Sequence, residues 1–155
     1  MEKKSGLLTY IALGANLHGP CGAPEATLRQ AIAALSQASG RPVSVSRFYR
    51  TAAFPAGSGP DYVNACAAFD WPDSSGAILT QLHEIEAALG RQRAGVGRWQ
   101  ARVIDLDLLA QGAGIAPHAA TESLWRNLPP AARGATAPEG LILPHPRLAE
   151  RAFVL

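Results

Sequence analysis

Apolar residues are distributed along this chain in two ways, as short unbroken runs and as stretches with helical spacing, and their order predicts the architecture. Residues 7 to 13, LLTYIAL, form a compact apolar run closed by Gly14, as a buried strand would be. Pro24 suits the first turn of a helix, in which Leu28, Ile32 and Leu35 recur on one side until Gly40 ends it. VSVSRFYRT (43 to 51) and DYVNACAAFDW (61 to 71) are rich in β-branched and aromatic residues. With the Gly/Pro-rich loop at 55 to 60 between them, they read as an antiparallel pair of strands. Asp73 or Ser74 can cap a second helix whose stripe is Ile78, Leu82, Ile85 and Leu89, with Gly90 as its stop. RVIDLDLLA (102 to 110) reads as a fourth strand.

The order βαββαβ is that of an α+β, ferredoxin-like unit, an antiparallel sheet with both helices on one face and the other face open. From about 111 to 140 Ala, Gly and Pro dominate without a period. A long loop excursion is expected there, with Trp125 and Leu128 pinning it down. LILPHPRLAERAFVL then closes the chain with a short apolar strand and a Pro-rich turn. The 155 residues are read as one domain, 1–155, and as a monomer. Hydrophobic residues at 48% against 17% charged exclude a disordered or solvated tail. A net charge of +2 gives no reason to expect a nucleic-acid partner, so a basic site must be local, among the arginines between 91 and 102. Cys21 and Cys66 lack CxxC spacing and suit a reducing, cytoplasmic compartment. The N-terminus, with two lysines before an apolar run, imitates a signal peptide, but Thr9 and Tyr10 interrupt the run. No stretch approaches the ~20 apolar residues of a membrane span, so no membrane partner is expected.

Side chains alternate along a strand, so Asp105 and Asp107 share one face while Ile104, Leu106 and Leu108 share the other, under the helices. Carboxylates about 6–7 Å apart along a strand repel one another unless cations sit between them. Oxygen-only donors in small number suit Mg²⁺, which keeps waters and borrows phosphate oxygens. Two ordinary aspartates on a solvated face are the alternative. Arg91, Arg93, Arg98 and Arg102 stand within twelve residues, on a segment interrupted by Gly90, Gly95 and Gly97. Guanidinium groups pair bidentately with phosphate and keep their charge, so this neighbourhood points to phosphate transfer. On the third strand Tyr62 and Asn64 look out of the sheet, with the first strand expected between the third and fourth. That leaves roughly 10 Å, or two strand steps, between them and the aspartates, room for one planar ligand. His83 and Glu86 stand three apart, off the apolar stripe of their helix and sharing a surface. His145, between two prolines, belongs to a loop. There is no GxxxxGK[ST] and no GxGxxG.

YIALGANL, SRFYRT, PDYVNACAAF, GRWQARVIDLDLL and LPHPRLAERAFVL together resemble, in order and spacing, the 6-hydroxymethyl-7,8-dihydropterin pyrophosphokinase family of folate biosynthesis. The resemblance covers nearly all of the chain outside 111 to 140. It implies transfer of the β,γ-pyrophosphoryl group of ATP to the pterin's hydroxymethyl oxygen with release of AMP, using two Mg²⁺ ions held by Asp105 and Asp107. Arg98 and Arg102 would steady the triphosphate. The pterin would lie near Thr51, Ala52, Phe54, Tyr62 and Asn64, stacked between Trp99 and Phe153. ATP would meet His83, Glu86, Arg93, Leu108, His145 and Arg151. Gln100-Ala101 stands where the family usually has Gly-Pro, and Ala52-Ala53 replaces prolines of the pterin loop. A catalytically silent member that binds pterin or nucleotide and acts through a partner is the alternative expectation. An RNA-binding ferredoxin-like module is a third, disfavoured because phosphate would avoid the two aspartates.

Overall fold

The computed structural model describes residues 6–92, 101–133 and 135–150. Its strands and helices follow the expected order: β1 (Leu7–Ala15), α1 (Pro24–Ser39), β2 (Ser44–Val45), β3 (Tyr49–Thr51), β4 (Tyr62–Trp71), α2 (Ser75–Ala88) and β5 (Asp105–Gln111). The sheet runs β2-β4-β1-β5, with β3 also paired to β4 and every pairing antiparallel. β1 therefore lies between β4 and β5, as the topology predicts. The second expected strand, 43 to 51, is two short strands, both laid along β4. Between them Ser46 turns to the partner backbone: its N–H donates to the Cys66 carbonyl at 2.9 Å and its Oγ accepts the Cys66 N–H at 2.9 Å.

Both helices cover one face of the sheet. Leu28, Ala31 and Leu35 from α1, and Ile78 and Leu82 from α2, meet Ile11, Leu13, Val63, Ala65, Ala67, Phe69, Trp71, Leu106 and Leu108 in a single dry core. Helix ends follow the sequence signals. Gly40 takes the left-handed conformation (φ 63°) that closes α1, which only glycine adopts without strain. Ser74, not Asp73, caps α2, accepting the Ala77 N–H at 3.3 Å. Asp73 is occupied by the Trp71 indole at 3.2 Å and the Gln81 amide at 2.8 Å.

Three expectations need correcting. The apolar stretch at 141 to 143 makes a single β-bridge, Leu143 to Ala116, rather than a strand, and a 3-10 turn follows at Leu148–Glu150. The fourth strand begins at Asp105 rather than 102, because the Arg102 peptide is bonded elsewhere, its carbonyl accepting the Asn16 N–H at 3.0 Å and the Leu17 N–H at 3.2 Å. The segment from 111 to 140 is not a bare loop. It carries α3 (Ala119–Arg126), capped by His118, and the short α4 (Pro130–Arg133). An eight-residue helix shows barely two turns of periodicity, too little to stand out in Ala/Pro-rich sequence. Trp125 and Leu128, both half-buried, line with Leu141 and Ile142 a groove of about 600 Å³.

Leu82 is fully buried where α2 meets the sheet, so the cost of truncating it reports how tightly that layer is packed. Leu82→Ala is expected to lower the unfolding free energy by about 2–5 kcal/mol in urea titration, with the native circular dichroism retained.

Candidate active site

The face of the sheet that no helix covers is built in rows across three strands. Gly14 on β1 pairs with Asn64 on one side and Asp105 on the other, and Ala12 pairs with Cys66 and Asp107. Residues opposite one another share a face, so the two small residues of β1 form the floor of a trough. β4 supplies one wall and β5 the other, two strand spacings, or about 10 Å, apart. Gly14 is required here for space. A Cβ at that position would stand 2.9 Å from Asn64 Oδ1 and 3.8 Å from Tyr62 Cδ1. Asn64 thus lies over the floor, nearly buried, with its Nδ2 donating to Thr51 Oγ1 at 2.7 Å. Tyr62 stands half-buried beside it.

The β5 wall is ionic. Asp105 accepts Arg91 NH1 on Oδ1 at 2.5 Å and Arg102 NH1 on Oδ2 at 2.6 Å, while its side chain remains 24% exposed. Arg91 also donates NH1 to Glu86, whose Oε1 takes the Leu106 N–H at 2.7 Å as well. Burial alone would lower the Arg91 pKa, but Asp105 and then Glu86 beside it outweigh that, and the net shift is upward. Tyr62 shifts upward too, chiefly because burial disfavours the phenolate; Arg102 and Arg91 oppose the shift and Asp105 adds to it. Burial likewise pushes the Cys66 thiol up, keeping it protonated at neutral pH.

Asn16, just past the end of β1, joins the two walls. Its Oδ1 accepts the Arg102 N–H at 2.7 Å, and its Nδ2 donates to the Pro60 carbonyl at 3.0 Å, in the loop leading to Tyr62. Neither Asn16 nor Gly14 was expected from the sequence, since an Asn or Gly after a strand normally signals only a turn. Arg91 was legible as one of four clustered arginines, but its partners were not.

Of the expected residues, Thr51, Tyr62, Asn64, Arg102, Asp105 and Asp107 gather around the trough. Ala52 is exposed next to Thr51, and Phe54 is 76% exposed further along the loop. His145 lies beyond the trough, its N–H on the Leu109 carbonyl at 2.7 Å and its Nδ1 accepting the Arg147 N–H at 3.2 Å. Two expectations fail. Glu86 does not share a surface with His83: it is 0% exposed and belongs to the buried stripe with Ile78 and Leu82, whereas His83 is exposed. The four-residue spacing 78, 82, 86 was the overlooked signal. Leu108, expected to meet nucleotide, packs its side chain into the core opposite Ile11 at 3% exposure. Arg93, Arg98, Trp99, Arg151 and Phe153 lie outside the described residues.

Among the described residues no group of three or more His, Cys, Asp or Glu side chains could hold a metal ion. Two carboxylates on one face nonetheless suit a hard divalent ion that completes its shell with water and phosphate oxygens. No helix among the described residues is long and apolar enough to cross a membrane.

Guanidinium groups gathered beside carboxylates on an open sheet face can pair bidentately with a polyphosphate, the chemistry of a phosphate-transferring enzyme. Comparison with known proteins narrows that class. The model of the 7,8-dihydro-6-hydroxymethylpterin-pyrophosphokinase family matches residues 10–155, and the chain belongs to that family. It is similar to the 2-amino-4-hydroxy-6-hydroxymethyldihydropteridine pyrophosphokinases of three bacteria. With that of Haemophilus influenzae it shares 38% identity over 107 residues, 68% of this chain and 63% of the relative. The match to Methylorubrum extorquens is 34% over 148 residues, 94% of this chain and 77% of the relative. That to Bacillus subtilis is 32% over 149 residues, 96% and 74%.

The raised Tyr62 pKa gives a linkage that can be read directly. A phenol whose folded pKa exceeds its unfolded value of 10.0 stabilises the fold fully below pH 10.0, and that contribution is lost as pH rises through the folded pKa. Absorbance titration at 295 nm is expected to contain a phase later than 10.0 that Tyr62→Phe removes.

Proposed function

We propose that the chain transfers the β,γ-pyrophosphoryl group of ATP to the hydroxymethyl oxygen of 6-hydroxymethyl-7,8-dihydropterin, a step of folate biosynthesis. The hydroxymethyl oxygen attacks the β-phosphorus, the bond from that phosphorus to the oxygen bridging to AMP breaks, and the hydroxyl proton is released. One observation carries the reading: a small-residue trough with an amide and a phenol on one wall and carboxylate-bound arginines on the other, about 10 Å across. That separation suits a single planar ring lying between recognition groups and a phosphate site.

Asn64 offers a carboxamide edge to the heterocycle, and its bond to Thr51 holds that edge in place before the ligand arrives. Tyr62 adds an apolar ring face and a protonated hydroxyl. Phosphoryl transfer from ATP works with a divalent metal. Asp105 and Asp107 would hold two Mg²⁺ ions, which when bound neutralise triphosphate charge. Arg91 and Arg102, which bond Asp105 here, present donors to the phosphates and to charge developing in transfer. Asn16 keeps Arg102 in register with the loop preceding Tyr62, so both substrates are aligned by one side chain.

AMP formation is expected only when ATP, Mg²⁺ and the pterin are all present. Asp107→Asn is expected to slow it by about 10²–10³-fold or more. Tight binding of both ligands with no AMP would instead favour a silent, partner-dependent member. A second test isolates the pterin side. Gly14→Ala is expected to raise the pterin KM roughly tenfold, because its methyl group collides with Asn64, while leaving the KM for ATP unchanged.

A further inference from the structure

We infer that Glu86 is a positioning residue of the transfer reaction, a buried carboxylate that aims Arg91 at the phosphate end of the trough and clamps the peptide between the two aspartates. The inference rests on the pyrophosphoryl-transfer reading above. Glu86 occupies the position on α2 where the buried stripe of Ile78 and Leu82 calls for an apolar side chain, and it is 0% exposed. A buried ion pair is seldom better for stability than well-packed apolar residues of similar volume, so packing does not explain a carboxylate there.

Its bonds explain it better. Glu86 Oε1 accepts both the Arg91 guanidinium and the Leu106 N–H, the latter at 2.7 Å. Leu106 lies between Asp105 and Asp107, so this bond holds the start of β5 against α2 and sets where both carboxylates emerge on the opposite face. Arg91 is held twice by the same residue, because its own N–H donates to the Glu86 carbonyl at 2.9 Å. When Asp105 turns its oxygens to another ligand, Glu86 still holds the guanidinium in the site. The remaining donors of Arg91 are then directed by Glu86 rather than by a flexible chain.

The test is a double-mutant cycle on the full chain: wild type, Glu86→Gln, Arg91→Ala and the double variant. Glu86→Gln keeps an oxygen for the Leu106 N–H and removes the charge that orients Arg91. It is expected to lower kcat by roughly 10–100-fold with little change in the pterin KM. In the Arg91→Ala background it is expected to cost nothing further. Wild-type kcat in Glu86→Gln, or the same loss with and without Arg91, overturns the inference. The same four proteins are titrated with Mg²⁺ and a nonhydrolysable ATP analogue. Absence of AMP from the wild type sinks the transfer reading, while additivity in analogue binding sinks the role of Glu86. If Glu86→Gln is too unstable to purify, Glu86→Asp, which keeps the charge but withdraws it by one methylene, replaces it in the cycle and is read by the same criteria.

Discussion

On β5 the pleat sends Leu106 and Leu108 into a dry core and Asp105 and Asp107 to the uncovered face, and the rest of the site depends on that alternation. A one-residue slip would bury both carboxylates and expose both leucines, so the core enforces the register of the acidic wall. β1 contributes by being small where it crosses this row. Gly14 and Ala12 leave the floor empty, and Asn64 leans into the space that a side chain at Gly14 would occupy.

Charge is balanced locally around that wall. Asp105 is shared by two arginines, and Arg91 is shared in turn with a carboxylate on the helix side of the sheet. The network therefore reaches from α2 on the helix side, round the start of the edge strand β5, to Asp105. Such an arrangement leaves Arg91 anchored to Glu86 whatever Asp105 bonds, which is what the proposed transfer asks of a guanidinium beside a polyphosphate.

Much of the fold was legible because it rests on local signals. Gly40, Ser74 and the stripe of Ile78 and Leu82 mark helix ends and faces within a few residues. Strand 43–51 was read as continuous, since nothing local reveals that Ser46 turns to the Cys66 backbone. Helix α3 was missed because eight residues carry too little period. In the site, the shared face of Asp105 and Asp107, and that of Tyr62 and Asn64, followed from period-two spacing. Glu86 was misplaced because the stripe was traced on from Leu82 through Ile85 and Leu89, leaving the carboxylate beside it to be read as facing water.

What the sequence determined by itself was the order of elements as far as β5, which residues share a face of a strand, and the family motifs that the comparison with relatives bears out over residues 10–155. These are properties of neighbours along the chain, governed by backbone geometry and by periodicity. Only the tertiary structure decided that Arg91 bonds Asp105 rather than solvent, that Asn16 bridges Arg102 and Pro60, and that Glu86 takes both Arg91 and the Leu106 N–H. Those contacts join residues up to 86 positions apart, and a polar group's partner at such range is set by packing, which no local pattern encodes.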